Sequence, residues 1–212
     1  MTNNDLELIL VRHGQTDANV ARQWVGRRET ALTDLGRAQA QAVARRLAEQ
    51  TPRAHAVYTS PLSRALHTAQ AIAQALGVDP VVIDGLREID FGTLDGMTLQ
   101  EMASQYPDVY ARWQNKTDNE FTWPGGERRA DFFLRAAAAC DDILTRHTSG
   151  AVVIVAHGGT LRSVLLHLLH TQMEMWWKYE INNGSITRVV VENGAARLVA
   201  LNDTAHLPAE AP

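Results

Sequence analysis

Apolar and polar residues fall in short blocks that change period along the chain. Leu6 to Val11, LELILV, is an apolar run of strand length. LTDLGRAQAQAVARRLAEQ, from Leu32, reads as a helix. Thr33 is placed to cap it, Ala, Gln, Arg and Leu favour it, and Val43 and Leu47, four apart, share its buried side. HAVYT, His55 to Thr59, is a second strand. Ser60-Pro61 then opens a helix, with Ser as N-cap and Pro at the first helical position, ending at Gly77. Pro80 to Ile83 is a third short strand. Residues 97–130 are the least regular stretch, and helix resumes from Asp131 to His147. AVVIVA, Ala151 to Ala156, is a wholly apolar strand of the kind covered on both faces, followed by a helix to about His170. Ile186–Val191 and Ala196–Leu201 read as a hairpin turning at Asn193-Gly194. Strands alternating with helices predict an α/β fold with a mostly parallel sheet. One domain over residues 1–207 and a disordered PAEAP tail at 208–212 are expected.

Composition narrows the function. Of 212 residues, 45% are hydrophobic, enough for a sizeable core. The chain carries 20 Lys+Arg against 24 Asp+Glu, a net charge of −4, which argues against a nucleic-acid partner. Only Lys116 and Lys178 are lysines, so 18 of the 20 cations are arginines. Arginine suits forked recognition of phosphate or carboxylate, although codon bias accounts for most of the 18. The lone Cys140, in the helix-like RAAAACDD, reads as a buried small hydrophobe and can form no internal disulfide. No apolar stretch reaches the length of a membrane span, and the N-terminus lacks the basic region of a secretion signal, so a soluble cytoplasmic protein with no membrane partner is expected.

The chemistry collects at strand ends. LELILV runs into Arg12-His13-Gly14, HAVYT into Ser60 with Arg64 one turn into the next helix, and AVVIVA into His157-Gly158-Gly159. Ligands of parallel α/β sheets bind outside the carboxyl ends of the strands, so these segments can converge. Two guanidiniums, two imidazoles and two helix N-termini make an anion site. Gly158 and Gly159 permit close approach of backbone to ligand. An uncharged histidine among arginines can attack phosphorus in line while the arginines hold the oxygens. The leaving oxygen needs a proton. Glu88 in GLREIDFG is a candidate donor, with Asp90 and Asp95 as rivals.

LVRHGQTDAN, TSPLSRALHTA, LREIDFGTLDG, PGGE and VAHGG, in that order and spanning nearly the whole chain, resemble the histidine phosphatase superfamily, the phosphoglycerate mutase-like proteins. The resemblance implies a three-layer α/β/α sandwich with a lid at about 97–130. It implies His13 as the phosphorylated nucleophile and Glu88 as general acid and base. Arg12, Arg64 and His157 would form the phosphate pocket, with Asn19 as a further ligand. Thr16, Gly26 and Gly158 belong to the loops that hold phosphate and substrate. No metal and no cofactor are implied. The chain departs from many relatives at Val25, where they carry Gln, at Glu29-Thr30-Ala31-Leu32-Thr33, and at Arg128.

The expected activity is metal-independent hydrolysis of small phosphomonoesters, with inorganic phosphate as product. The alternative is a cofactor-dependent phosphoglycerate mutase. Dedicated mutases carry a basic, tyrosine-rich lid, whereas 97–130 mixes Arg112, Lys116, Arg128 and Arg129 at its end with acids and aromatics. A catalytically idle binding protein is disfavoured by the intact set of His13, Arg12, Arg64, His157 and Glu88. Trp113, Phe121 and Trp123 either line a substrate cleft or pack the lid. Trp176-Trp177 reads as core or a subunit contact, which leaves a homodimer open.

Overall fold

The computed structural model describes residues 5–51 and 54–208. Six strands form one mixed sheet: β1 (Leu6–Arg12), β2 (Ala54–Thr59), β3 (Pro80–Val82), β4 (Gly150–Ala156), β5 (Ile186–Glu192) and β6 (Ala195–Asp203). Their spatial order is β3-β2-β4-β1-β5-β6. The first four are mutually parallel, and β5 runs antiparallel to both of its neighbours. Seven α-helices lie among the described residues: α1 (Asp17–Val20), α2 (Asp34–Gln50), α3 (Ser63–Leu76), α4 (Leu99–Gln105), α5 (Pro107–Gln114), α6 (Arg129–Arg146) and α7 (Gly158–Leu168).

Side chains alternate across a strand, so β1 feeds two cores. Leu8 and Leu10, with Val152 and Ile154 of β4, pack under Cys140 and Ile143 of α6 and Leu161 and Leu165 of α7. Ile9 and Val11, with Val153 and Val155, pack against Val43 and Leu47 of α2 and Ala69 and Ile72 of α3. Helices therefore cover both faces, giving the three-layer α/β/α sandwich. Cys140 is fully enclosed, and burial pushes its thiol up to about 12, which keeps it an inert apolar group.

Register brings the strand ends together. Arg12 pairs with Ala156 across β1 and β4, and Thr59 pairs with Val155 across β2 and β4. The ladder continues one residue further: His13 N–H donates to Ala156 O and Ser60 N–H to Val155 O. Residues 13, 60 and 157 thus leave the sheet side by side.

Two local expectations change. Ser60 is not an N-cap: α3 begins at Ser63, and the Ser60 hydroxyl is engaged by His157 instead. The exposed N-terminus of α3 is capped from outside by Glu29, whose Oε2 accepts from Ser63 N–H at 2.9 Å. The stretch 97–130 holds two helices. Thr98 and Glu101 form a capping box for α4, and Pro107 occupies the first turn of α5. Its buried residues Met102, Phe121 and Trp123 join Ile89 and Phe132 in a third apolar cluster. At the far end, Asn193 and Gly194 make the hairpin turn with φ of 51° and 80°. The tail at 208–212 lies outside the described residues except for Pro208. Among the described residues no helix is long and apolar enough to cross a membrane.

Candidate active site

A cavity of about 270 Å³ opens at the carboxyl ends of the parallel strands. Arg12, His13, Thr16, Asn19, Arg64, Glu88 and Gly158 all line it. His157 lies directly behind His13, ring centroids 5.2 Å apart.

Both imidazoles are buried and held neutral. Burial drives His13 well below the ordinary histidine value, and Arg64 and Arg12 add to the effect. Its Nδ1 lies 2.7 Å from the Gly14 carbonyl, which can only accept. Nδ1 therefore carries the hydrogen and Nε2 keeps its lone pair. His157 is lowered by burial first, then by Arg64, His13 and Arg12. Its Nδ1 accepts from Arg64 Nε at 3.2 Å, so its Nε2–H donates to Ser60 Oγ at 2.8 Å.

The arginines are anchored through some N–H groups and open through others. Arg64 donates to the Gly26 and Arg28 carbonyls at 2.7 and 3.0 Å. Asp95 holds that loop by accepting from the backbone N–H groups of Gly26, Arg27 and Arg28. Arg12 donates from Nη1 to Ile181 O at 2.7 Å, while its buried Nε has no partner. Burial lowers Arg12 to about 10, leaving it charged at neutral pH.

Asn19 is oriented from three sides. Its Oδ1 accepts from the Thr16 backbone and hydroxyl and from Asn183 Nδ2, at 3.0 to 3.1 Å. This leaves the Asn19 Nδ2 donor for the cavity. Thr16 is the N-cap of α1 as well as a loop residue, because Thr16 and Asn19 form a capping box. Gly26 contributes through its carbonyl on Arg64 and does not itself line the cavity.

Glu88 faces the same space. Its Oε2 accepts from Gly159 N–H at 2.8 Å and its Oε1 from Ile89 N–H at 3.0 Å. The contact requires glycine, since a Cβ at 159 would run into Oε1. Asp90 and Asp95 lie outside the cavity lining, tied to backbone N–H groups of turns. Of the three carboxylates, Glu88 is the one at the site.

Two residues escaped the sequence reading. Arg162 lines the cavity and is anchored by Nε to Tyr179 O at 2.7 Å. It stands six residues beyond the end of β4, much as Arg64 stands five beyond the end of β2, and that pattern could have found it. Asn183 donates to His13 O and to Asn19. It sits in an Asn-Asn-Gly-Ser turn that carries no chemical signal. Of the other arginines considered, Arg129 lines the cavity. Arg112 and Arg128 turn to Asp118 and to Asp131 and Glu120. Trp113 and Trp123 line the cavity and Phe121 is core. Trp176 and Trp177, expected in the core or at a subunit contact, are half-buried cavity walls. Among the described residues, no three His, Cys, Asp or Glu side chains are grouped as metal ligands.

An α/β sandwich that gathers paired arginines, a neutral imidazole with a free nitrogen and a carboxyl group at its strand ends defines a protein built to handle an oxyanion. The model of the histidine phosphatase superfamily (branch 1) matches residues 8–204, and the chain belongs to that superfamily. It is 29% identical over 202 residues to phosphoserine phosphatase 1 of Hydrogenobacter thermophilus, covering 95% of this chain and 94% of that one. It is 33% identical over 203 residues to a metal-independent phosphoserine phosphatase of Arabidopsis thaliana, covering 95% and 83%. Among solved structures it is similar to the phosphoserine phosphatase of Entamoeba histolytica in complex with phosphoserine. That match has a TM-score of 0.85 and 30% identity, and covers 96% of this chain and all of the other.

Proposed function

We propose that the protein hydrolyses phosphomonoesters of small metabolites without a metal, through a phosphohistidine on His13. The observation that carries this reading is the state of His13: buried, uncharged, with Nδ1–H fixed on the Gly14 carbonyl and Nε2 free beside two arginines. Nε2 attacks phosphorus in line, and the phosphorus–oxygen bond to the alcohol breaks. Glu88, in its protonated form, gives the departing oxygen its proton. Arg12, Arg64 and Asn19 hold the phosphoryl oxygens, and the N-terminus of α7 at Gly158 adds positive potential. His157 keeps Arg64 in place. Water then attacks the phosphohistidine, Glu88 takes its proton, and inorganic phosphate leaves with His13 regenerated. One domain over 1–207 carries the activity, with 97–130 as its lid and specificity segment.

A phosphoglycerate mutase would need lid cations free to grip a second anionic group. Arg112 and Arg128 are instead paired with acids, Arg129, which does line the cavity, donates to three backbone carbonyls, and the similar proteins named above are phosphatases.

The test is hydrolysis of p-nitrophenyl phosphate with a chelator present. The wild type should turn over and form an acid-labile phosphoenzyme, and His13→Ala should lose both. Full activity in His13→Ala would remove His13 from the reaction. Interconversion of phosphoglycerates dependent on a bisphosphate primer, without phosphate release, would establish the mutase.

A further inference from the structure

The chain has five tryptophans, and all five line the one cavity: Trp24, Trp113, Trp123, Trp176 and Trp177. They come from four places along the chain, Trp176 and Trp177 being adjacent, so their meeting is a product of the fold. Trp24 meets Trp113 and Trp123 edge-on, centroids 4.9 and 5.5 Å apart. Trp176 meets Trp177 at 4.4 Å, and Trp177 meets Trp113 at 5.8 Å, joining the two groups. The indole N–H groups of Trp176 and Trp177 donate to Ser163 Oγ and to Lys116 O. With those donors spent on the protein, these two walls offer mainly ring surface, and part of it is taken: Lys116 Nζ, which does not line the cavity, lies over the rings of Trp113 and Trp177 at 3.3 and 4.0 Å, and the Arg162 guanidinium lies over Trp176 at 5.0 Å.

The charges lining the same cavity disfavour a cationic occupant. Beyond the phosphate-binding end stand Arg129, its guanidinium donating to the carbonyls of Trp113, Asn115 and Asp118, and Arg162. Among the described residues the one carboxylate lining the cavity is Glu88, already accepting from two backbone N–H groups and assigned above to the proton transfer. An alcohol carrying an ammonium group therefore finds no carboxylate of its own and faces two further cations. Aromatic walls can hold a quaternary ammonium, but two guanidiniums in the same space oppose it. A planar ring has the remaining tryptophan faces and edges to stack on. Size agrees: an apolar cavity of roughly 150 Å³ takes a benzene ring, so about 270 Å³ holds one ring and its phosphoryl group.

We infer that the substrate is a phosphomonoester whose alcohol carries a planar aromatic or heteroaromatic ring, bound between the tryptophan walls. This rests on the phosphatase reading for the reaction but not for the ring site. The test compares 2-phenylethyl phosphate, 2-cyclohexylethyl phosphate, O-phosphoserine and phosphocholine, all esters of primary alcohols. The expected kcat/KM for the phenyl ester is about tenfold or more above phosphoserine and phosphocholine, and several-fold above the cyclohexyl ester. Trp24→Leu and Trp176→Leu should bring the phenyl-to-cyclohexyl ratio towards one, and Trp24→Phe and Trp176→Phe should largely restore it. Preference for phosphoserine or phosphocholine, or a ratio indifferent to these variants, overturns the inference while leaving the phosphatase standing. Binding is read separately by tryptophan emission, with 2-phenylethylphosphonate against ethylphosphonate. Tighter binding of the phenyl compound supports the ring site even if no ester is hydrolysed, an outcome that would instead remove the phosphatase reading. Equal binding overturns the ring site.

Discussion

Glu88 and Gly159 act as a unit. In the proposed reaction the carboxyl must sit where it can protonate the departing oxygen, and the backbone of Gly159 holds it there. The proton matters most for a basic leaving group. Glu88→Gln should lower kcat for an alkyl phosphate by roughly 10²–10⁴-fold and slow p-nitrophenyl phosphate, whose phenolate leaves unaided, far less. Gly159→Ala, whose Cβ would displace the carboxylate, should show the same split on leaving-group basicity. Equal losses on both substrates would contradict the acid role. The arginines repeat the lesson at single-residue level. Arg12, Arg64, Arg129 and Arg162 line the cavity. Arg112 and Arg128 differ from them in direction and not in chemistry.

At the level of elements, the loop after β1 is shaped by the start of α2. Gln15 N–H donates to Gln39 Oε1, Thr33 N–H donates to Gln15 O, and Thr33 caps α2 through Gly36 N–H. Gly36 packs backbone to backbone on Gln15, and a Cβ there would run into the Gln15 carbonyl. Carbonyl oxygen cannot yield as a flexible side chain can. Gly36→Ala should therefore cost about 1–3 kcal/mol, or roughly 2–12 °C in Tm for a chain of this size. It should also lower kcat/KM, because the same loop carries His13 and Asn19. An unchanged thermal melt would show that the loop and helix move apart freely. The caps themselves were partly readable. Thr33 caps α2 as its position suggested. Ser60 does not cap α3, because the helix starts only at Ser63; the Ser60 hydroxyl accepts from Leu62 N–H just ahead of it and from His157, 97 residues away.

For the whole molecule, two buried histidines tie stability to pH. His13 and His157 both have folded pKa values well below 6.5, burial being the main cause. Below that value the unfolded chain binds protons that the folded chain refuses. Stability is therefore complete above pH 6.5 and falls as the pH drops towards the folded pKa values, by about 1.4 kcal/mol per pH unit for each such group. Denaturant melts from pH 7.5 to 5 should show this slope. Equal melts at pH 7 and 5.5 would mean that both imidazoles take up protons without unfolding.

Much of this protein was legible along the chain. Apolar runs ending in Arg-His-Gly and His-Gly-Gly placed β1 and β4, and with them His13 and His157. The terminal hairpin followed from Asn193-Gly194, and the helix of 34–50 from its composition and Thr33. These rest on local physics: backbone preference, burial period and turn chemistry act over a few residues. Which polar groups share one cavity is decided by strand register and by helix ends meeting across the sheet, and no local signal carries that. Asn183 orients Asn19 from 164 residues away, Gly159 holds Glu88 from 71, and the five tryptophans meet only when 97–130 and 173–177 close on the strand ends. The sequence by itself determined the layers of the sandwich and the kind of chemistry at its strand ends. Tertiary structure alone decided which arginines face the cavity and which aromatic walls stand beside them, because those choices depend on the directions in which distant side chains point.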